Sequence, residues 1–177
     1  MKTRVILCGA LLALLPFPIP AEPQGQAQET GHQSSKELER LKALAGKWTG
    51  TMQTDAGETP FNAEYRVVSG GSVVEERLFA DTPKEMVTMY HDKGGKLALT
   101  HYCMLCNQPA MMLKESDGKS ISFDFDPSSS KIDVEKETHM HALKLNFVDA
   151  DTLEHQWTLY AGGKSKGEHS FTLKRVK

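Results

Sequence analysis

Hydrophobic and polar residues change their period once along this chain, from about three and a half to two, and the change divides a helix from a sheet. Residues 34–45 set Leu38, Leu41, Leu44 and Ala45 on one helical stripe, with Ser34 or Ser35 to cap the first turn and Gly46 to end it. Beyond Gly46, apolar positions alternate with polar ones. Turn residues recur about every ten positions, as at Asp55-Ala-Gly, Ser69-Gly-Gly, Asp92-Lys-Gly-Gly, Ser116-Asp-Gly and Ala161-Gly-Gly. The spacing predicts strands over 47–54, 60–68, 72–79, 85–91, 96–103, 109–115, 119–125, 137–148, 152–161 and 166–176. Short turns between them make the sheet antiparallel, and a sheet of about ten strands must curl, split or close. The expected fold is all-β: an antiparallel up-and-down β-barrel of about ten strands with one short N-terminal helix, occupying residues 36–177.

The alternation also places the histidines. His91 follows Val87 and Met89, His101 follows Leu97 and Leu99, and His139 and His141 precede Leu143 and Leu145. His155 runs with Leu153 and Trp157, and His169 leads Phe171 and Leu173. Side chains two apart on a strand share a face, so all six histidines are expected inside, except where a bulge shifts the register, most readily near His91 and His169. A mixed aliphatic and imidazole interior suits a cavity better than a packed core. The candidate ligand-binding set is His91, His101, Cys103, Asn107, Met111, His139, His141, His155 and Trp157, with a small molecule as the expected partner.

Composition narrows the setting. Lys2 and Arg4 precede a short apolar run from Val5 to Leu15, and small residues follow at Ala21 and Ala27. This pattern reads as a signal peptide over 1–27, then a polar leader over 28–35, and places the mature domain in the periplasm or outside the cell. The run is too short for a membrane span, so no stable membrane insertion is expected. Removing 1–27 takes away Lys2, Arg4 and Glu22, so 21 basic and 23 acidic residues become 19 and 22. That balance offers nucleic acid no electrostatic footing. Nothing in the sequence signals an oligomeric state.

Leu44-Ala-Gly46-Lys-Trp48-Thr-Gly50 resembles the opening of the calycin barrels, namely lipocalins, fatty-acid-binding proteins and nitrobindin-like haem proteins. The resemblance implies that Gly46 and Trp48 begin the first strand beside a closing helix, and that Arg175 of the last strand lies across Trp48 in a cation-π contact worth roughly 1 kcal/mol. A closer resemblance, to uncharacterised bacterial secreted lipocalin-like proteins, covers about 44–176. It is carried by Glu85-Met-Val-Thr-Met-Tyr-His91, by Leu99-Thr-His-Tyr-Cys103 with Asn107-Gln-Pro109, and by His139-Met-His141. It implies the fold and a shared interior, and no reaction.

Several chemistries compete for the interior. His139-x-His141 spaces two imidazoles roughly 7 Å apart on one strand face, and with His101 they form the candidate metal set; His155 or Cys103 could also supply the third ligand. The same pair serves equally as polar lining hydrogen-bonded to Tyr102, Gln156 or water. Cys103 and Cys106 form a Cys-x-x-Cys that ends a strand rather than opening a helix, which argues against thioredoxin-type catalysis and leaves a local disulfide, free thiols or a metal contact. The nitrobindin likeness raises haem on His101, His139, His141 or His155, so the cofactor is left open. An acid-base enzyme could use His101 or His141 near Glu154, Asp124 or Tyr102, although no nucleophile motif is present. Glu75, Glu76 and Arg77 read as a charged rim or a solvated strand face.

Overall fold

A computed structural model describes residues 33–54 and 57–177. The expected signal peptide and most of the leader lie outside the described residues. Helix α1 (Lys36–Lys42) starts at Ser35, whose Oγ accepts the Leu38 N–H at 3.1 Å. Ser35 is itself tied to the sheet, donating from its N–H and its hydroxyl to the Asp92 carboxylate at 2.7 Å each.

Ten strands follow: β1 (Gly46–Thr54), β2 (Gly57–Val68), β3 (Val73–Leu78), β4 (Met86–Lys93), β5 (Lys96–Tyr102), β6 (Ala110–Ser116), β7 (Ser120–Phe125), β8 (His139–Asp149), β9 (Thr152–Ala161) and β10 (Lys164–Arg175). Each pairs antiparallel with the next, and β1 pairs with β10 to close the barrel. This is the expected fold class. Closure leaves no unpaired sheet edge. Among the described residues no helix is long and apolar enough to cross a membrane.

The inward side chains form three levels. Beside α1, Trp48, Val74, Leu97, Leu153 and Leu173 meet Leu38 and Leu41, all at most 1% exposed. Each fully buried leucine there contributes roughly 1.5–3 kcal/mol. The middle level carries Tyr65, Glu76, Thr88, Tyr90, Leu99 and His155, and the third surrounds a cavity at the far end.

Gly46, Trp48 and Arg175 come together at the closed end. Trp48 and Arg175 are cross-strand partners, and the guanidinium carbon lies 4.3 Å from the indole centroid. The Arg175 Nη atoms donate to the Ala43 and Ala45 carbonyls at 2.9 Å each and to Leu44 at 3.4 Å. Trp48 Nε1–H also donates to the Leu44 carbonyl, at 2.9 Å. One cation thus satisfies the orphan carbonyls at the C-terminal end of α1, where the helix dipole favours it. Gly46 sits at φ +132°, a backbone that favours glycine, and a Cβ there would stand 3.2 Å from Arg175 Nη1, which would have to give by a few tenths of an ångström.

Candidate functional site

The cavity at the end away from α1 has a volume of about 360 Å³. Met52, Leu78, Phe79, Met86, Met140 and Phe171 supply its apolar wall, His101 and Trp157 interrupt that wall, and Glu168, His169 and Ser170 of β10 also line it. Phe79 holds φ +56°, a left-handed backbone that costs a bulky residue on the order of 1–3 kcal/mol. The next amide, Ala80 N–H, donates to the Asn62 carbonyl at 3.1 Å, and the Phe79 ring stacks on Phe61 with centroids 4.6 Å apart. Strain is spent on placing this ring at the cavity.

His101 is 1% exposed; its Nδ1 pairs with Thr88 Oγ1 at 2.9 Å, and its ring lies 4.5 Å from Trp157. Burial pushes its pKa down to about 4, so the imidazole is uncharged at neutral pH. The cavity therefore offers polar atoms on its inner wall without a formal charge there.

Glu76 is fully buried in the middle level, and its Oε2 accepts hydrogen bonds from the hydroxyls of Tyr65 (3.1 Å) and Tyr90. The Tyr65 oxygen also meets His155 Nε2 at 2.8 Å. With the Tyr65 proton on Glu76, the contact is completed by the His155 tautomer that carries its proton on Nε2. Burial lifts Glu76 to about pKa 7 against the pull of the two tyrosines. Burial, and then the neighbouring His101, press His155 down to about 3. Glu76 Oε1, His155 Nδ1 and Trp157 Nε1 are all buried without a protein partner.

Sequence reasoning placed Glu76 with Glu75 and Arg77 on a rim or a solvated face. Glu75 and Arg77 behave so: Glu75 accepts from Arg66 at 2.7 Å, and Arg77 binds Glu64 (3.0 Å), Asp81 (3.0 Å) and Glu85 (2.6 Å) outside the barrel. Glu76 alternates with Val74 and Leu78, both buried, and that parity was the available signal. Tyr65 and Tyr90 were missed as well.

Among the expected ligand-binding residues, His101 and Trp157 reach the cavity wall. His155 lies beneath them, and Met111 is fully buried core. His91 is a correction: on β4 the buried residues are Thr88 and Tyr90, so His91 faces outward with Val87 and Met89. Apolarity picked the wrong face of that strand, because its inner set carries hydroxyls. His169, opposite Trp157, has the expected parity but is exposed.

His139 and His141 are a second correction. A bulge between Met140 and Ala142 turns Met140 into the cavity and sets His139 opposite Tyr160, a residue of the outer face of β9. His139 Nε2 meets His141 Nδ1 at 3.0 Å, and the His141 ring stacks on Tyr160 with centroids 3.7 Å apart. The expected metal set of His101, His139 and His141 is therefore not assembled, and among the described residues no group of three His, Cys, Asp or Glu side chains is arranged to hold a metal ion. Cys103 and Cys106 are separate thiols on the loop after β5. Asn107 anchors that loop by donating from Nδ2 to the Thr138 carbonyl at 2.9 Å.

No family model matches the chain, and no curated protein matches it. Among solved structures it is similar to a protein of unknown function from the DUF3598 family of Nostoc punctiforme, at 11% identity and a TM-score of 0.43 over 77% of this chain. The chain spans about half of that protein's length, the likeness covering 49% of it.

Proposed function

We propose that this barrel is an exported carrier or sensor that binds a compact, largely apolar and uncharged molecule in the cavity at its open end. The observation that carries the reading is an apolar-walled space of about 360 Å³ whose inner polar group, His101, is kept neutral. Cavities of this size suit small ligands, and a few fixed polar groups among apolar walls select orientation. A negative charge on the ligand would meet no Lys or Arg among the lining residues and would lose its hydration without return. Export is supported by the charged and apolar pattern of the first 27 residues.

The test uses N-phenyl-1-naphthylamine, a neutral amphiphile that brightens in apolar surroundings. Its emission should rise and saturate at one molecule per chain. Met140→Trp, which fills the cavity from the bulged strand, should abolish the rise while the far-ultraviolet dichroism stays that of the wild type. Absence of binding to the wild type, or equal binding to the filled variant, would overturn the proposal.

A further inference from the structure

The loop that follows β5 carries chemistry that the cavity does not use. Residues Cys103 to Cys106 close a turn in which Cys106 N–H donates to the Cys103 carbonyl at 3.0 Å, and Cys103 N–H donates to the Asn107 carbonyl at 3.1 Å. An i to i+3 turn brings its end Cα atoms within about 7 Å, the range a disulfide spans. The backbone amides of Leu105 and Met104 favour the thiolate of Cys103 against burial, and Cys106 Sγ approaches the Met104 carbonyl at 3.8 Å. Cys106 is exposed and Cys103 is half-buried. The two thiols thus differ in access but belong to one turn, whose Cys106 backbone stands at φ +61°.

We infer that Cys103 and Cys106 form a reversible dithiol-disulfide site, with exposed Cys106 as the attacking thiol and Cys103 as the resolving one. Cys106, as thiolate, attacks one sulfur of a small-molecule disulfide; that S–S bond breaks and the first thiolate leaves. Cys103 then loses its proton to water and attacks the Cys106 sulfur of the mixed disulfide, expelling the second thiolate. The S–S bond between Cys103 and Cys106 forms, the cysteine pair gives up two electrons and two protons, and the small disulfide becomes two thiols. Burial pushes the Cys103 thiol up, and the amides directed at its sulfur work against burial to favour the thiolate at the moment of attack. No active-site helix is needed, and slow exchange is expected of a turn without one.

Full-length Cys8→Ala protein, which keeps this pair alone, is reacted with dithiobis(nitrobenzoate). Two nitrothiobenzoate ions should be released per chain, and the product should weigh two hydrogens less than the start, with no adduct. Cys103→Ser in the same background should release one ion and retain the other half as a mixed disulfide. Cys106→Ser should react at least tenfold more slowly than Cys103→Ser. Retention of two adducts on the unsubstituted pair would overturn the inference, as would equal rates for the two single variants. Purified protein whose thiols react only after a chelator, with release of a metal, would overturn it in favour of a metal site.

Discussion

Replacing Glu76 by glutamine should change the pH dependence of stability more than stability itself. The carboxyl titrates near 4.5 when unfolded and near 7 in the barrel, where burial penalises its charge. Below pH 4.5 both states hold the proton. Between 4.5 and 7 the folded state keeps the proton that the unfolded chain has released, so raising the pH favours unfolding by about 1.4 kcal/mol per unit. Over the whole window the loss is about 3 kcal/mol, and above pH 7 it is complete. His101 and His155 act in the opposite sense: their folded values of about 4 and about 3 lie below the unfolded 6.5, so their contribution is intact above 6.5 and lost as the pH falls through the folded values. Glu76→Gln removes the first effect and leaves the second. Urea unfolding, followed by the fluorescence of buried Trp48 and Trp157 from about pH 4 to about pH 8, gives the two stability curves. Their difference should run level below about pH 4.5, shift by about 3 kcal/mol against the wild type by about pH 7, and then run level again. Curves that stay parallel across the window would refute a raised carboxyl at Glu76.

Arg175→Met should cost about 2 kcal/mol or more in urea unfolding, since it loses both the stacking on Trp48 and the bonds to three helix-end carbonyls. Arg175→Lys should recover less than half, because a point charge cannot stack and fork together; full recovery would show that only charge matters. Gly50→Ala should lower the melting temperature by several degrees, as its Cβ would stand 2.9 Å from Leu173 Cδ2, Phe61 Cζ and the Thr172 carbonyl; an unchanged melting temperature would refute the close packing. His155→Leu should flatten the acid limb of the stability curve by about 1.4 kcal/mol per unit between about pH 6.5 and pH 3, and an unaltered limb would show that His155 does not titrate as placed.

The periodicity of the chain determined the helix, the ten strands and their antiparallel order, because alternation and turn residues are local properties and each strand obeys them independently. The contact of Trp48 with Arg175 was an expectation of the resemblance that Gly46-Lys-Trp48 carries, and not of the periodicity. The faces of β4 and the start of β8 were not legible. On β4 the buried residues are Thr88 and Tyr90, which are polar by composition yet matched on the adjacent strands by His101 and Glu76. On β8 one extra residue near His141 exchanges Met140 for the histidines. Whether a hydroxyl or a carboxyl can be buried depends on a partner from another strand, and whether a bulge forms depends on the neighbour's register. Both are decided only when the barrel closes, so the tertiary structure matched Glu76 with Tyr65 and Tyr90, and set His101 at the cavity, His155 in the buried polar layer and His139 buried against His141 and Tyr160.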